Sequence, residues 1–217
     1  MALRFGKSAT ETTEPLLMRW GLKRRDVSDR ALDVLRAMDA ERAELEERLQ
    51  IAEGLAVRDP LTATLNRRGF MTELHRAMSE MERYGTPAAV IYVDLDGFKG
   101  LNDNYGHATG DAVLKHVGKL LMESVRDSDV VGRLGGDEFG VILTHVGAEE
   151  ARAKAHALGE AIQSRPIMHA GMAHRVRISI GVHPIAQAEA PETAIERADE
   201  AMYAEKFARR AEMKVAF

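Results

Sequence analysis

Acidic residues stand in two short segments that together could bind a divalent cation and a polyphosphate. The first segment, Asp94-Leu95-Asp96-Gly97-Phe98-Lys99, follows the strand-like run Val90–Val93. Mg²⁺ prefers oxygen ligands and usually takes one or two carboxylates together with phosphate oxygens. Backbone N–H groups in the turn after a strand can meet phosphate, and Lys99 adds a positive charge. Taken alone, the segment is equally compatible with carboxylates that cap a loop.

The second segment, Gly135-Gly136-Asp137-Glu138-Phe139, has two glycines directly before two adjacent acids. Glycine adopts positive φ without strain and lets a bulky ligand approach the backbone. Adjacent carboxylates repel each other, and a bound divalent cation relieves that repulsion. An isolated pair of this kind is usually a solvated acidic turn. If the two segments are neighbours, Asp94 and Asp137 can share one metal ion, as in two-metal phosphoryl and nucleotidyl transfer.

The elements that must position these acids alternate between helix and strand. Helical periodicity predicts helices at Arg67–Arg83, Asp111–Val125, Ala148–Gln163 and Pro191–Ala208. Runs of β-branched and aromatic residues predict strands at Ala88–Asp94, Val130–Leu134, Phe139–Thr144, Val176–Val182 and Met213–Phe217. The glycine pair between the second and third of these strands predicts a β-hairpin. Interleaved helices and strands with a hairpin indicate an α+β fold, a mixed sheet covered by helices.

Residues 1–27 show no clear period and predict a loose N-terminal arm. The alternative is a docking segment, because Pro15–Met18 form a short apolar patch. Segment 28–58 is helical in pattern, and its large apolar residues repeat at heptad spacing: Leu35, Met38, Leu45 and Leu49. This predicts a short dimeric coiled coil, interrupted by Arg42. An amphipathic helix lying on its own domain is the other interpretation.

Proline disfavours a helical conformation in the residue before it, so Asp59-Pro60 ends this helix and opens the domain at 59–217. The 217 residues carry 30 Lys and Arg against 34 Asp and Glu, and this mildly acidic balance argues against general nucleic-acid binding. The absence of cysteine excludes disulfides and Cys-ligated zinc. The longest apolar run, Ala88–Val93, is far shorter than the ~20 residues of a membrane span. Without a recognisable secretory signal, we expect a cytoplasmic protein.

Residues 135–139 spell the GGDEF signature, and residues 59–210 resemble a diguanylate cyclase domain of the GGDEF family. Other segments match in order and spacing: Asp59-Pro60-Leu61-Thr62, Leu65-Asn66-Arg67, Asp94 to Lys99, Asn102-Asp103, Gly106-His107, Gly110-Asp111, Ser179-Ile180-Gly181-Val182 and Ala198 to Lys206. Residues 1–58 lie outside the resemblance. The resemblance implies a palm-like, ferredoxin-related sheet of the nucleotide cyclase type.

It also implies an enzyme that condenses two GTP molecules to cyclic di-GMP and two pyrophosphates, with Mg²⁺ or Mn²⁺ as cofactor. Asp94 and Asp137 would bind the metal through their side chains and Leu95 through its carbonyl. Asp137 would be the base for the attacking 3′-hydroxyl, assisted by Glu138. Each protomer would hold one GTP, so a homodimer must bring two sites together.

The same resemblance implies the contacts to the nucleotide. Lys99 would neutralise developing phosphate charge, and the backbone N–H groups of Gly97 and Phe98 would cradle the phosphates. Asn102 and Asp111 would hydrogen-bond the guanine edge, which adenine cannot match. The remaining substrate-binding residues are those of the hairpin tip and the last helix: Gly135, Gly136, Lys206 and Arg210. The family usually has a glycine before the arginine of this last helix, and Arg209 stands at that position instead.

Arg126 and Asp129 match the Arg-x-x-Asp of the family's product-inhibition site, five residues before the signature. As a bare tetrapeptide this pair would most often be a surface ion pair. The second basic residue of the site is open between Arg152 and Lys154. The main rival to the enzyme is a catalytically weak effector that binds cyclic di-GMP through Arg126 and Asp129. Another nucleotidyl cyclase on the same sheet is a further alternative.

Overall fold

The computed structural model describes the backbone of residues 13–185 and 189–215, and the side chains of 15–46, 48, 57–185 and 189–209. The chain forms two compact units, Met1–Gly54 and Leu55–Phe217. None of the helices in these described ranges combines the length and apolar character needed to cross a membrane.

The first unit is built from two helices. Helix α1 (Thr13–Arg19) is joined to α2 (Asp29–Val57) by a short 3₁₀ turn. Four apolar residues of this unit are buried together: Leu16, Leu17, Val27 and Leu32. The described part of the expected loose arm is therefore folded, because α1 brings two adjacent leucines onto α2. Residues 1–12 lie outside the described residues.

Helix α2 extends over nearly the whole segment that the heptad pattern marks as helical. Leu35 packs against the cluster under α1, whereas Met38 and Leu45 are 48% and 54% exposed. Val34, on the same face as Met38, is also about half exposed. The predicted seam is thus divided between an internal contact and an exposed apolar stripe. The side chain of Leu49 lies outside the described residues.

The second unit follows the order β1 (Leu65–Asn66), α3 (Arg67–Tyr84), β2 (Ala88–Asp96), α4 (Phe98–Tyr105), α5 (His107–Glu123), β3 (Val130–Arg133), β4 (Glu138–Thr144), α6 (Ala148–Ser164), β5 (Ile167–His169), β6 (Met172–His174), β7 (Arg177–Pro184) and α7 (Pro191–Val215). Five strands form one sheet in the order β1-β3-β4-β2-β7. Strand β1 pairs parallel with β3, and the other pairs are antiparallel. Strands β5 and β6 form a separate ribbon. The fold is α+β, a mixed sheet covered by helices.

Strand β2, in the interior of the sheet, is apolar because helices cover both of its faces. Its odd-numbered residues from Ala89 to Leu95 pack in a cluster with α5 and α6. Its even-numbered residues from Ala88 to Tyr92 pack in a second cluster with α3 and α7. Since side chains alternate along a strand, the next even positions, Asp94 and Asp96, continue the α3 and α7 side.

Phe70 of α3 is fully buried against the β3–β4 hairpin. Gly132 and Gly140 lie opposite each other in this hairpin. A Cβ atom on Gly132 would lie 2.7 Å from Phe70 Cδ2, and one on Gly140 would lie 2.6 Å from Phe70 Cζ. The ring therefore uses the space that two missing side chains leave.

The predicted hairpin is confirmed, and the predicted helices and internal strands agree with the observed ones apart from their ends. Helix α5 begins at His107, four residues before the predicted start, and the short elements β1, α4, β5 and β6 were not predicted. The strand predicted at Met213–Phe217 is wrong as far as Val215, because α7 continues to that residue. Arg209 stands where a glycine would favour a helix end, so the helix is not stopped there. Residues 216 and 217 lie outside the described residues.

Candidate functional site

The end of β2 faces a basic side chain of α7. Lys206 Nζ donates a hydrogen bond to Asp94 Oδ1 and lies 3.5 Å from Asp96 Oδ1. Lys206 and both carboxylates are only partly exposed, between 16% and 25% of their side chains. The alternation of β2 explains this contact, because it directs both acids to the face that α7 covers.

The hairpin tip lies directly beside the end of β2. Asp94 is paired with Glu138 in the β2–β4 ladder, and Leu95 N donates to the carbonyl of Asp137 at 3.1 Å. The condition on which the metal hypothesis depended, that the two acidic segments are neighbours, is therefore met. This contact uses the N–H of Leu95, and the carbonyl of the same residue is the group predicted to bind a metal.

Burial and mutual repulsion change the acidity of these carboxyl groups. The pKa of Asp137 is raised, first by burial and then by the charge of Asp94. Burial and the same Asp94 charge also raise the pKa of Asp199 on α7. Burial lowers the pKa of Lys206, but its hydrogen bond and charge interaction with Asp94 prevail and raise it. The site thus holds more negative charge than Lys206 alone neutralises, which favours a bound cation.

The donor set fits magnesium only in part. Within the residues that the structure describes, no three His, Asp or Glu side chains converge as a ready metal site. Asp94, Asp137 and the Leu95 carbonyl offer oxygen ligands, fewer than the six that octahedral Mg²⁺ requires. Mg²⁺ commonly completes such a set with water and substrate phosphate. The residues present therefore suit a metal that arrives with a polyphosphate.

Two arginines hold the hairpin tip in place. Arg133 donates to the carbonyl of Gly136 at 2.7 Å and pairs with Asp59 at 3.3 Å. Arg67 donates to the carbonyl of Leu134 at 3.3 Å. Asp59 also accepts from the backbone and hydroxyl of Thr62, so the domain-opening segment is tied to the tip. These contacts give the segment from Asp59 to Thr62 a structural role, because they connect it to the hairpin tip.

Space at the tip requires glycine at one position. A Cβ on Gly135 would overlap Oε2 of Glu138. Glu138 also interacts with Tyr92, whose pKa is raised, first by burial and then by the charge of this carboxylate. Gly136 is exposed at the turn itself, and a Cβ atom on it would meet no atom within 4 Å. The tip therefore leaves open space on the side of Gly136.

The turn between β2 and α4 leads to the predicted nucleotide contacts. Gly97 has φ of +72°, which other residues rarely adopt, and α4 begins at Phe98. Lys99 is exposed. Asn102 Oδ1 is buried and has no hydrogen-bond partner within the protein. A buried acceptor without a partner is costly, and a guanine N–H donor would satisfy it. Asp111, the second predicted guanine contact, is exposed on α5.

A separate cavity of about 400 Å³ contains the predicted product-binding residues. Arg126 and Asp129 both line it. Asp129 Oδ2 accepts from the backbone N–H of Arg126 at 3.0 Å, and its Oδ1 accepts from that of Thr144 at 3.2 Å. Lys154 lines the same cavity and donates to the Ser124 carbonyl.

Arg152, the other candidate for the second basic residue, lines a different cavity and pairs with Glu149. Of the two candidates, Lys154 is therefore the one that lines the cavity of Arg126 and Asp129. On α7, the Arg210 side chain lies outside the described residues. Arg209, for which the motifs predict no role, lies 3.5 Å from Asp96.

A mixed sheet that carries carboxylates at one strand end and at the adjacent hairpin tip, facing Lys206 and Arg209 of a helix, fits the architecture of a nucleotide cyclase domain. The family model described as "Diguanylate cyclase, GGDEF domain" matches residues 56–212. The chain belongs to the GGDEF diguanylate cyclase family.

Named diguanylate cyclases are among the proteins that are similar to this chain in sequence. The chain is 35% identical to diguanylate cyclase DgcP of Pseudomonas aeruginosa over 161 residues, 74% of this chain and 24% of that protein. It is 37% identical to diguanylate cyclase DosC of Escherichia coli over 149 residues, 68% of this chain and 32% of that protein. The chain thus spans about a third or less of these two relatives.

Among solved structures, the coiled coil and GGDEF domain of DgcB from Caulobacter crescentus, in complex with c-di-GMP, is similar with a TM-score of 0.75. The identity is 30%, and the match covers 81% of this chain and 94% of that one. The matched 81% of the chain is more than residues 56–212 and the few residues after them make up. The similarity therefore extends toward the N-terminus, beyond the family domain.

Proposed function

We propose that this chain is a cytoplasmic diguanylate cyclase that condenses two GTP molecules to cyclic di-GMP in a homodimer. The observation that carries the proposal is the juxtaposition of Asp94 and Asp137 beside Lys206. Two carboxylates and a lysine on adjacent elements supply what phosphoryl transfer asks of a protein, which is mainly positioning and charge neutralisation. Family membership supports the same reaction.

In each of the two transfers, the 3′-oxygen of one GTP forms a bond to the α-phosphorus of the other. The bond from that phosphorus to the pyrophosphate oxygen breaks, and pyrophosphate leaves. Asp137 accepts the proton of the 3′-hydroxyl, and its raised pKa suits a group that must take up a proton. Glu138 lies next to it and assists with the hydroxyl.

Asp94, Asp137 and the Leu95 carbonyl would hold Mg²⁺ or Mn²⁺, which neutralises phosphate charge when bound. Lys99 and Lys206 add positive charge to the phosphates, and Arg210 is a further candidate. The backbone N–H groups of Gly97 and Phe98 follow the end of β2, where phosphate can meet them. Asn102 and Asp111 hydrogen-bond the guanine and select it over adenine.

Dimerisation brings two half-sites face to face, because each protomer binds a single GTP. The exposed stripe of Val34, Met38 and Leu45 on α2 supports a helical contact between two copies. A short apolar stripe gives a weak contact, so we expect activity to depend on protein concentration.

We further propose that product inhibits the enzyme at the cavity of Arg126, Asp129 and Lys154. A guanidinium can donate to guanine or phosphate, and a carboxylate can accept from the donor edge of guanine. Replacing Arg126 with alanine should leave turnover intact and weaken inhibition by added cyclic di-GMP. Unchanged inhibition would count against the cavity as the inhibitory site.

The test of the main proposal is product formation by the full chain. Purified protein is incubated with GTP and MgCl₂, and products are resolved by chromatography and identified by mass, beside an Asp137→Ala control. Cyclic di-GMP from the wild type alone supports the enzyme. Absence of product at high protein concentration, and also after Arg126→Ala, would favour the effector that only binds cyclic di-GMP.

A further inference from the structure

Arg209 makes a set of contacts that the proposed function does not use. Its guanidinium donates to Ser179 Oγ at 2.6 Å and to the Ile178 carbonyl at 3.1 Å, both on β7. The same group lies 3.5 Å from Asp96 Oδ2. Arg209 thus anchors α7 to the strand beside β2 and reaches the second acid at the end of β2.

The hydroxyl of Ser179 links Arg209 to the same carboxylate a second time. Ser179 is fully buried, and its Oγ lies 2.8 Å from Asp96 Oδ1. A guanidinium can only donate, so Ser179 accepts from Arg209 and donates its own hydrogen to the carboxylate. Both oxygens of Asp96 are therefore engaged, one directly by Arg209 and one through Ser179.

Two cationic side chains of α7 face two carboxylates at the end of β2. Lys206 is hydrogen-bonded to Asp94 and lies 3.5 Å from Asp96. Arg209 lies 3.5 Å from Asp96 and also 3.5 Å from the more exposed Glu205 of its own helix. Lys206 and Arg209 are three residues apart, so they lie on neighbouring positions of one helix face. Without Arg209, the charge of Asp96 would be left for Lys206 to neutralise.

We infer that Arg209 is a positioning residue that neutralises Asp96 and thereby leaves Lys206 free to move from Asp94 onto the nucleotide phosphates. This inference rests on the proposed function, because it requires a GTP site beside Asp94. Arg209 acts through Asp96 and Lys206 and does not itself contact the nucleotide. In its absence, two carboxylates hold Lys206 back, and substrate binding is weakened more than turnover.

The test compares steady-state kinetics of the full-length wild type, Arg209→Ala, Asp96→Asn and the double variant. For Arg209→Ala we expect the KM for GTP to rise about tenfold, equal to ~1.4 kcal/mol, with kcat within about twofold of the wild type. Combining it with Asp96→Asn should return KM close to that of Asp96→Asn alone, because the carboxylate that captures Lys206 has lost its charge. Arg197→Ala is the matched control, since Arg197 lies on the same helix and pairs with Glu189.

An anchor with only a structural role would give a different pattern. It would lower the melting temperature of Arg209→Ala, and the loss would persist in the double variant. An unchanged KM in Arg209→Ala, or a double variant as impaired as Arg209→Ala, would overturn the inference. If the wild type forms no cyclic di-GMP, calorimetric titration with GTP decides: tighter binding by the wild type than by Arg209→Ala upholds the role of Arg209, and equal or absent binding refutes it.

Discussion

Gly110 of α5 lies so close to Asn102 of α4 that no side chain fits between them. A Cβ on Gly110 would overlap Asn102 Oδ1 and lie 2.9 Å from its Cγ and 3.1 Å from Phe98 Cζ. The amide is therefore confined by a neighbouring helix, and its buried oxygen is kept available as an acceptor. This arrangement prepares one predicted guanine contact before any nucleotide binds.

Replacing Gly110 with alanine should weaken GTP binding by about tenfold, because Asn102 must move and lose a hydrogen bond worth ~1–3 kcal/mol when its partner is left unpaired. Calorimetric titration with GTP measures the loss. Gly100→Ala on α4 is the control, because its Cβ would meet no atom within 4 Å. GTP affinity equal to that of the wild type in Gly110→Ala would show that Asn102 does not set guanine binding.

Replacing Asp137 with asparagine should stabilise the metal-free protein at neutral pH while abolishing product formation. The folded state raises the pKa of Asp137, so its ionised form is disfavoured by folding, and the cost appears as pH rises through that pKa. Removing the charge removes this cost. Thermal denaturation should show the gain at pH 7 and its disappearance at acid pH, where the wild-type carboxyl is protonated.

A matched variant separates this charge effect from metal binding. Asp199, whose pKa is also raised by burial and by Asp94, should give a similar gain when changed to asparagine. Added MgCl₂ with GTP should raise the melting temperature of Asp199→Asn but not that of Asp137→Asn. An equal response of both variants to MgCl₂ would argue against Asp137 as a ligand.

Replacing Lys154 with methionine should raise the cyclic di-GMP concentration for half-maximal inhibition by at least about tenfold, because one charge-assisted hydrogen bond of ~1.5–3 kcal/mol is lost. Turnover without added product should be unchanged, since this cavity is separate from the residues at the end of β2. Arg152→Met is the control, because Arg152 pairs with Glu149 outside the cavity. Relief of inhibition by Arg152→Met and not by Lys154→Met would reverse the assignment.

Replacing Met38 with glutamate should make activity more dependent on protein concentration. The exposed Met38 lies in the apolar stripe of α2, and a charge there disfavours burial against a second copy. Sedimentation and specific activity over a range of concentrations measure the change, which we expect to be at least about fivefold in the dimer dissociation constant, or ~1 kcal/mol. Arg36→Ala, on the opposite side of the helix, should leave both measurements unchanged.

Most of the second unit could be predicted from periodicity. The apolar run of β2 and the glycine pair before Asp137 identified the central strand and the hairpin, because burial and turn chemistry are local properties of the sequence. The ribbon of β5 and β6 could not be predicted, since its strands have only three residues each. The end of α7 was also missed, because a helix-forming segment offers no local stop signal.

The candidate site could be predicted only where its motifs are contiguous in sequence. Asp94 and Asp137 stand in recognisable segments, and their proximity follows from the pairing of β2 with β4. The contacts of Arg133 with Asp59 and of Arg209 with Ser179 join residues 74 and 30 positions apart. No spacing rule predicts such pairs, because they depend on how the sheet and helices pack.

The space shared by Phe70, Gly132 and Gly140 restricts the order in which these three positions can change. Adding a methyl group at either glycine while the ring is present forces overlap with it, whereas shrinking the ring first leaves a cavity that a later side chain can fill. The effect of each substitution therefore depends on which residue already occupies the other sites. A side chain at Gly132 or Gly140 is therefore tolerated best after position 70 has changed to a smaller residue. This restricts how the hairpin that carries the signature acids can vary in sequence.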